Sequence, residues 1–152
     1  MTIIKQQVLQ TTPNQTVFAQ LPTLLTVDGK QGWKIVHVAA HFVSANFVSP
    51  LVDTVIDFQL NTETGIQGFA DADNICNLNW RISGIAASTS AFQLATKQEW
   101  SSDIGRLTVQ PILFMALYTE GLTAAAYVNV EVEYELVRLS DMEVMRLLQG
   151  GA

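Results

Sequence analysis

Two histidines, His37 and His41, are the first residues of this chain whose spacing points to chemistry. Side chains four positions apart can share a metal ion on one face of a helix, but on a strand they lie about 13 Å apart. The residues around them, 33–44, are rich in the β-branched and aromatic types that favour a strand. The spacing therefore favours ordinary core or interface histidines over a zinc pair.

The stretch Asp71-Ala72-Asp73-Asn74 resembles the opening of a calcium-binding loop, in which oxygen-bearing side chains alternate along the chain. Ile75 stands where a third oxygen ligand is needed, and the glycine that should follow is missing, which excludes an EF-hand. Asp71, Asp73 and Asn77 remain candidate ligands of an irregular calcium site. The alternative is a solvated turn with no metal, and we favour it.

Three carboxylates, Glu131, Glu133 and Glu135, recur at every second position, which places them on one face of a strand about 6.8 Å apart. That separation is near that of the acid pair in some glycosidases. A catalytic carboxylate needs an apolar setting, however, whereas an acidic row of this kind is typical of a sheet face that meets water. No nucleotide-binding or hydrolase fingerprint occurs in the sequence, so we expect neither an enzyme nor a cofactor.

Tryptophans and the one cysteine point to packing rather than to a site. Trp33, Trp80 and Trp100 would suit a sugar-binding face, but tryptophans of β-rich chains are more often core or interface residues. Cys76 has no cysteine partner in the chain, so it is expected to be a small buried apolar residue.

Composition predicts one domain, 1–152, that assembles with other chains. The chain has 152 residues, of which 49% are hydrophobic and 14% charged, with a formal net charge of -6. A negative chain without a basic cluster is not expected to bind nucleic acid directly. The low charged fraction indicates that part of the surface is covered by other copies. Neither a secretory leader nor a transmembrane segment is predicted.

Alternation with period two predicts an all-β fold. It is clearest over 126–136, where valines and Tyr134 alternate with Asn129 and the three glutamates. It recurs over 52–60, where Phe58 belongs to the apolar row and Gln59 and Asn61 to the polar one. Eight strands are predicted, at 3–9, 15–20, 33–44, 52–60, 75–83, 91–99, 106–119 and 126–136.

Two connections and one β-bulge are predicted from turn-forming residues. Residues 101–105, which end in Gly105, are predicted to separate two strands, and residues 44–50 to form a loop that exposes Phe47. Pro111 falls within a predicted strand, where a residue without an N–H group favours a β-bulge.

One helix is predicted at about 140–149. Ser140 and Glu143 have the spacing of a capping box, and Met142, Met145 and Leu148 follow on one face. A helix this short is marginal alone, so it must dock. Packing on its own domain is favoured over a seat on a neighbouring chain, and both stay open.

The long strand over 127–139 that runs straight into the helix at 140–149 resembles the ends of small phage and viral structural proteins. With eight strands in one domain, the chain is similar to a single jelly-roll capsid-type protein. The resemblance implies an eight-stranded antiparallel jelly-roll β-sandwich with a short C-terminal helix. It also implies a non-enzymatic virion component (capsid, vertex or spike) that binds copies of itself and other virion proteins, in particles assembled in the host cytoplasm.

Apolar residues in the terminal segments and loops are the candidate contacts between copies. They are Ile3, Ile4, Phe47, Met142, Met145 and Leu148. The alternative function is a binding module, either a trimeric head of tumour-necrosis-factor type or a lectin-like sandwich, with the calcium candidates at its loop ends.

Overall fold

The computed structural model describes residues 2–22, 30–48, 53–68, 71, 73–82, 92–122 and 125–149, with the backbone alone at 44–48, 82 and 92–96. Eight strands and one helix lie within these ranges. They are β1 (Thr2–Leu9), β2 (Val17–Pro22), β3 (Gln31–Val48), β4 (Thr54–Asn61), β5 (Asn74–Ile82), β6 (Phe92–Thr108), β7 (Ile112–Glu120), β8 (Ala126–Arg138) and α1 (Asp141–Leu148).

The strands form two four-stranded antiparallel sheets. The first sheet has the order β1-β8-β3-β6 and the second has the order β2-β7-β4-β5. Successive strands lie in different sheets except for β4 and β5, which pair with each other, and this order is that of a jelly roll. The predicted eight-stranded jelly-roll sandwich with a C-terminal helix is confirmed.

Alternating side chains of both sheets meet in one core. Val128, Val130 and Val132 of β8 are buried, while Asn129 and Glu131 between them point outward, as the sequence predicts. Trp33 is fully buried and meets the Tyr134 ring edge-on, with ring centroids 5.1 Å apart. Trp80 is also buried, and Trp100 packs against the core from outside. The tryptophans therefore pack with the core, as expected.

The predicted break at residues 101–105 is wrong, because β6 continues through it to Thr108. Ile35 lies opposite Arg106 and His37 opposite Ser101, so residues 102–105 bulge out of the ladder. Gly105 supplies the positive φ of 71° that this excursion needs. The bulge carries Ile104, whose side chain is 86% exposed.

Two further local predictions are wrong. Pro111 lies in the connection between β6 and β7 and not in a bulged strand, because β7 begins only at Ile112. Residues 44–48 are not a loop but the last part of β3, where the backbone of Phe47 lies opposite that of Gln93. The Phe47 side chain and residues 49–50 lie outside the described residues.

Part of the polar row of β4 is buried, although the sequence predicts that this row faces solvent. Gln59 and Asn61 are buried, because the loop 62–68 folds back over them. The Gln59 side chain donates to the carbonyl of Gln67 at 3.0 Å and accepts from its N–H at 3.0 Å, and Asn61 donates to the Gly65 carbonyl at 3.2 Å. Buried amides tolerate this position because they are hydrogen-bonded. They hold the loop against the second sheet.

The side-chain amides of Asn14 and Gln10 join two other segments of the chain. The side chain of Asn14, which has a φ of 60°, donates to the Leu122 carbonyl at 2.9 Å and accepts from the Leu122 N–H at 2.8 Å. Buried Gln10 donates to the Thr119 hydroxyl at 2.9 Å. These contacts tie the segment after β1 to the segment after β7.

Cys76 is buried in β5, as expected of a small apolar residue, and burial raises the pKa of its thiol to about 12. Since the thiolate is the reactive form, we expect the native protein to leave the reagent DTNB unreacted. Denatured protein should release one equivalent of chromophore at once. Stoichiometric reaction of the native protein would contradict the placement of Cys76 in the core.

Candidate assembly surfaces

The predicted helix is present and capped as the sequence indicates. The Ser140 hydroxyl accepts from the N–H of Glu143 at 3.3 Å, and the Glu143 carboxylate accepts from the N–H of Ser140 at 2.7 Å. The Glu143 carboxylate accepts from both the N–H and the hydroxyl of Ser140, and these bonds to its charged form lower its pKa. The capping box thus defines where α1 begins, and the Leu139 N–H fixes its approach by donating to the Lys30 carbonyl at 2.8 Å.

Three apolar side chains of α1 face solvent. Met142, Met145 and Leu148 are 80%, 60% and 59% exposed, and none of the eight helix residues is buried. We call these three residues the helix stripe. The helix stripe does not pack on its own domain as expected, whereas Val144 and Leu147 are half-buried. The exposed Lys30–Asp141 ion pair at 3.5 Å adds little to the stability of the helix.

The candidate contacts of β1 point in opposite directions. Ile3 lies on the outer face of the first sheet, opposite Glu133, and is exposed. Ile4 lies opposite Val132 on the inner face and packs against the core. Because β1 is an edge strand, Ile3 is accessible to another chain, whereas Ile4 supports its own domain.

The outer face of the first sheet carries charged side chains that form ion pairs. Lys5 pairs with Glu131 at 3.2 Å and Lys34 with Glu135 at 2.7 Å, and the latter pair lowers the pKa of Glu135. His37 is half-buried, with its ring nitrogens 3.8 Å from Glu99 and 3.9 Å from Glu133. The glutamate row therefore meets water and cations, as expected.

The histidines are not core residues. His37 and His41 both lie on the outer face of β3, and His41 is exposed. The sequence reasoning placed them on a strand correctly but did not find the side of the sheet. Among the described residues, no three His, Cys, Asp or Glu side chains come together in a way that would hold a metal ion.

The calcium candidates are engaged in a turn. Asp71 accepts from the backbone N–H of Asp73 at 3.0 Å, and Asp73 accepts from the Thr62 hydroxyl at 3.0 Å. Asn77 lies in β5 opposite Gln59, separate from this turn along the chain. One side-chain oxygen of each aspartate thus accepts a hydrogen bond from a protein group.

A groove on the outer face of the second sheet was missed by the sequence reasoning. It measures about 370 Å³ and lies between the β2–β7 pair and the loop 62–68. Its lining carries no formal charge and comprises Phe18, Ala19, Gln20, Thr64, Gly65 and Phe114. We call it the Phe18 groove, because the Phe18 ring is 56% exposed there.

The alternation of inward and outward side chains along β2 is a sequence signal for this groove. Val17 and Ala19 pack toward the core and Leu21 is fully buried, so Phe18 must point outward. Phe18 and Phe114 are both on this outward face, so the ring belongs to a small apolar patch and is not isolated. The covering loop 62–68 could not be inferred, because it depends on the buried amides of β4.

No helix of the described residues is both long and apolar enough to cross a membrane. No protein-family model matches this chain, and no curated protein does. Among solved structures, the chain is similar to one of Desmodium yellow mottle tymovirus. That alignment covers 92% of this chain and 91% of the other, with 8% sequence identity and a TM-score of 0.36. The fold assignment rests on the strand order and register of this chain.

Proposed function

We propose that the protein is a non-enzymatic structural subunit that self-assembles through its jelly-roll domain as a component of a virus particle. The observation that carries the proposal is the helix stripe. Met142, Met145 and Leu148 project from a well-capped helix, yet their own domain buries none of them. A helix whose start is fixed by the sequence but whose stripe stays exposed is suited to binding another chain through that stripe.

Burial of the helix stripe alone does not supply enough free energy for stable association. Full burial of one Met or Leu side chain contributes about 1.5–3 kcal/mol, and the stripe exposes about two side chains' worth of surface, so it supplies roughly 3–6 kcal/mol before costs. Loss of translational and rotational freedom on association costs about 4–15 kcal/mol. Stable assembly therefore needs further apolar contacts. Ile3 and the Phe18 groove are exposed and available for them.

Fold and charge support the place in a virus particle. Jelly rolls build many viral capsid domains, as well as lectin domains and cupins. The net charge of -6 and the ion-paired outer face of the first sheet give no basic surface for a genome. The proposed partners are therefore further copies and other virion proteins, and the proposed location is the virion, assembled in the host cytoplasm.

Light scattering over a concentration series, with negative-stain images of the largest species, tests this proposal. We expect the wild-type protein to form closed shells or defined rings. Met145→Asp should stay monomeric with an unchanged β-sheet circular dichroism spectrum, because it puts a charge into the stripe. Asn79→Asp is the matched control, since it adds a carboxylate at an exposed position of β5. A wild-type protein that remains monomeric at every concentration would refute self-assembly.

A further inference from the structure

We propose that α1 of one copy lies in the Phe18 groove of the next copy, so that the copies join head to tail. This inference rests on the proposed self-assembly and adds to it the identity of the two surfaces in contact. The occupant of the groove is thus a second copy of this chain, which presents Met142, Met145 and Leu148 to Phe18 and Phe114.

Charge is the first argument for this pairing. Each copy has a net charge of -6, so two copies repel unless uncharged surfaces meet. The outer face of the first sheet is crowded with ion pairs and would have to be desolvated. The helix stripe and the six residues that line the Phe18 groove carry no formal charge. They therefore suit each other better than either suits the charged face.

Shape is the second argument. The stripe has side chains at positions i, i+3 and i+6 of an eight-residue helix about 12 Å long, so they follow one side of it, and a helix with one apolar side can bind in an apolar groove. The groove runs beside β2, which pairs only with β7 and is therefore an edge strand. A helix that arrives from outside can reach Phe18 without displacing a strand.

The third argument is that the groove cannot take the helix of its own chain, so the helix must come from a second copy. Within one chain, the N–H of Leu139 and the side chain of Asp141 hold the start of α1 beside Lys30, next to the first strand residues of β3. The groove lies on the outer face of the other sheet. In this arrangement both the stripe and the Phe18 ring stay exposed, so neither covers the other within a copy.

A contact between two different surfaces has a consequence for symmetry. It leaves one free helix and one free groove at the ends of every pair, so it continues to a ring or an open array. A two-fold contact would stop at the dimer.

The test uses two variants that each remove one half of the contact. Phe18→Asp places a charge in the groove and keeps the helix, while Met145→Asp does the reverse. Each variant alone should be monomeric at concentrations where the wild-type protein assembles. An equimolar mixture should form 1:1 dimers that do not grow, because only one helix and one groove remain functional. Light scattering reads the mass, and Asn79→Asp should assemble as the wild type does.

The possible results distinguish the two proposals. A wild-type protein that never assembles refutes the proposed function. If the wild type assembles and Phe18→Asp does so equally well, or if the mixed variants stay monomeric, the head-to-tail pairing is refuted while self-assembly stands. Thermal unfolding verifies that Phe18→Asp is folded. The uncharged variant Phe18→Thr should raise the assembly concentration roughly tenfold or more, and an unchanged value would also refute the pairing.

Discussion

Phe58→Asp is expected to abolish folding. Phe58 is fully buried in β4 and lies opposite Leu117 and Leu78 in the middle of the second sheet. Loss of a buried Phe costs about 3–5 kcal/mol, and burial of an unpaired carboxylate costs several more. The sum is comparable with the whole stability of a typical domain, about 5–15 kcal/mol.

The measurement is far-ultraviolet circular dichroism with urea unfolding. Phe58→Asp should lack the β-sheet spectrum and a cooperative transition, whereas Phe58→Leu should keep both at reduced stability. Asn79→Asp places the same charge on the exposed face of the same sheet, opposite Asp57, so it should lower the urea midpoint slightly and keep the cooperative transition. A folded Phe58→Asp protein would mean that β4 presents its other row to the core.

Gly121→Ala should produce the second large loss of stability. Gly121 has a φ of +74°, and a Cβ atom there would press against the backbone carbonyl oxygen of Asp53. A left-handed backbone at a residue other than glycine costs about 1–3 kcal/mol, and the clash adds the cost of moving a backbone segment. The combined loss should therefore exceed about 3 kcal/mol.

Gly65→Ala is the matched comparison, because Gly65 has a φ of +91° but nothing within 4 Å of the added Cβ. It isolates the backbone strain. Urea midpoints of the two variants should both fall, with Gly121→Ala falling clearly further. Equal shifts would mean that the carbonyl of Asp53 moves aside without cost.

The elements that could be predicted from sequence are those whose signal is local. The alternation of β8 survives because that strand is central in its sheet and one side faces the core, so each valine has a buried position. The capping box at Ser140 is equally local, since both of its bonds join residues three positions apart.

Features that depend on how the chain folds back on itself were predicted wrongly or missed. Gln59 reads as a surface residue until the loop 62–68 covers it. Residues 101–105 read as a turn because Gly105 is there, but the pairing of β6 with β3 on both sides of them keeps the strand continuous.

The same distinction applies to the candidate site. The apolar stripe of α1 is visible in the sequence, but whether its own domain covers it depends on where Lys30 anchors the helix. The Phe18 groove has two walls from different segments, so no single stretch of sequence contains it.

Because β1 pairs with β8, the first sheet can be completed only after β8 has been synthesised. Thr2 has Tyr134 as its partner, so the strand that is made early must wait for 132 further residues. At about 5–20 residues per second, that wait is roughly 7–26 s. Until then the first sheet lacks its central strand, and such non-local pairing makes folding slow. Because α1 follows β8 directly, the helix stripe emerges only after the strand that completes the sheet. Synthesis from one end thus keeps a surface suited to binding other copies out of reach while the domain is still unfinished.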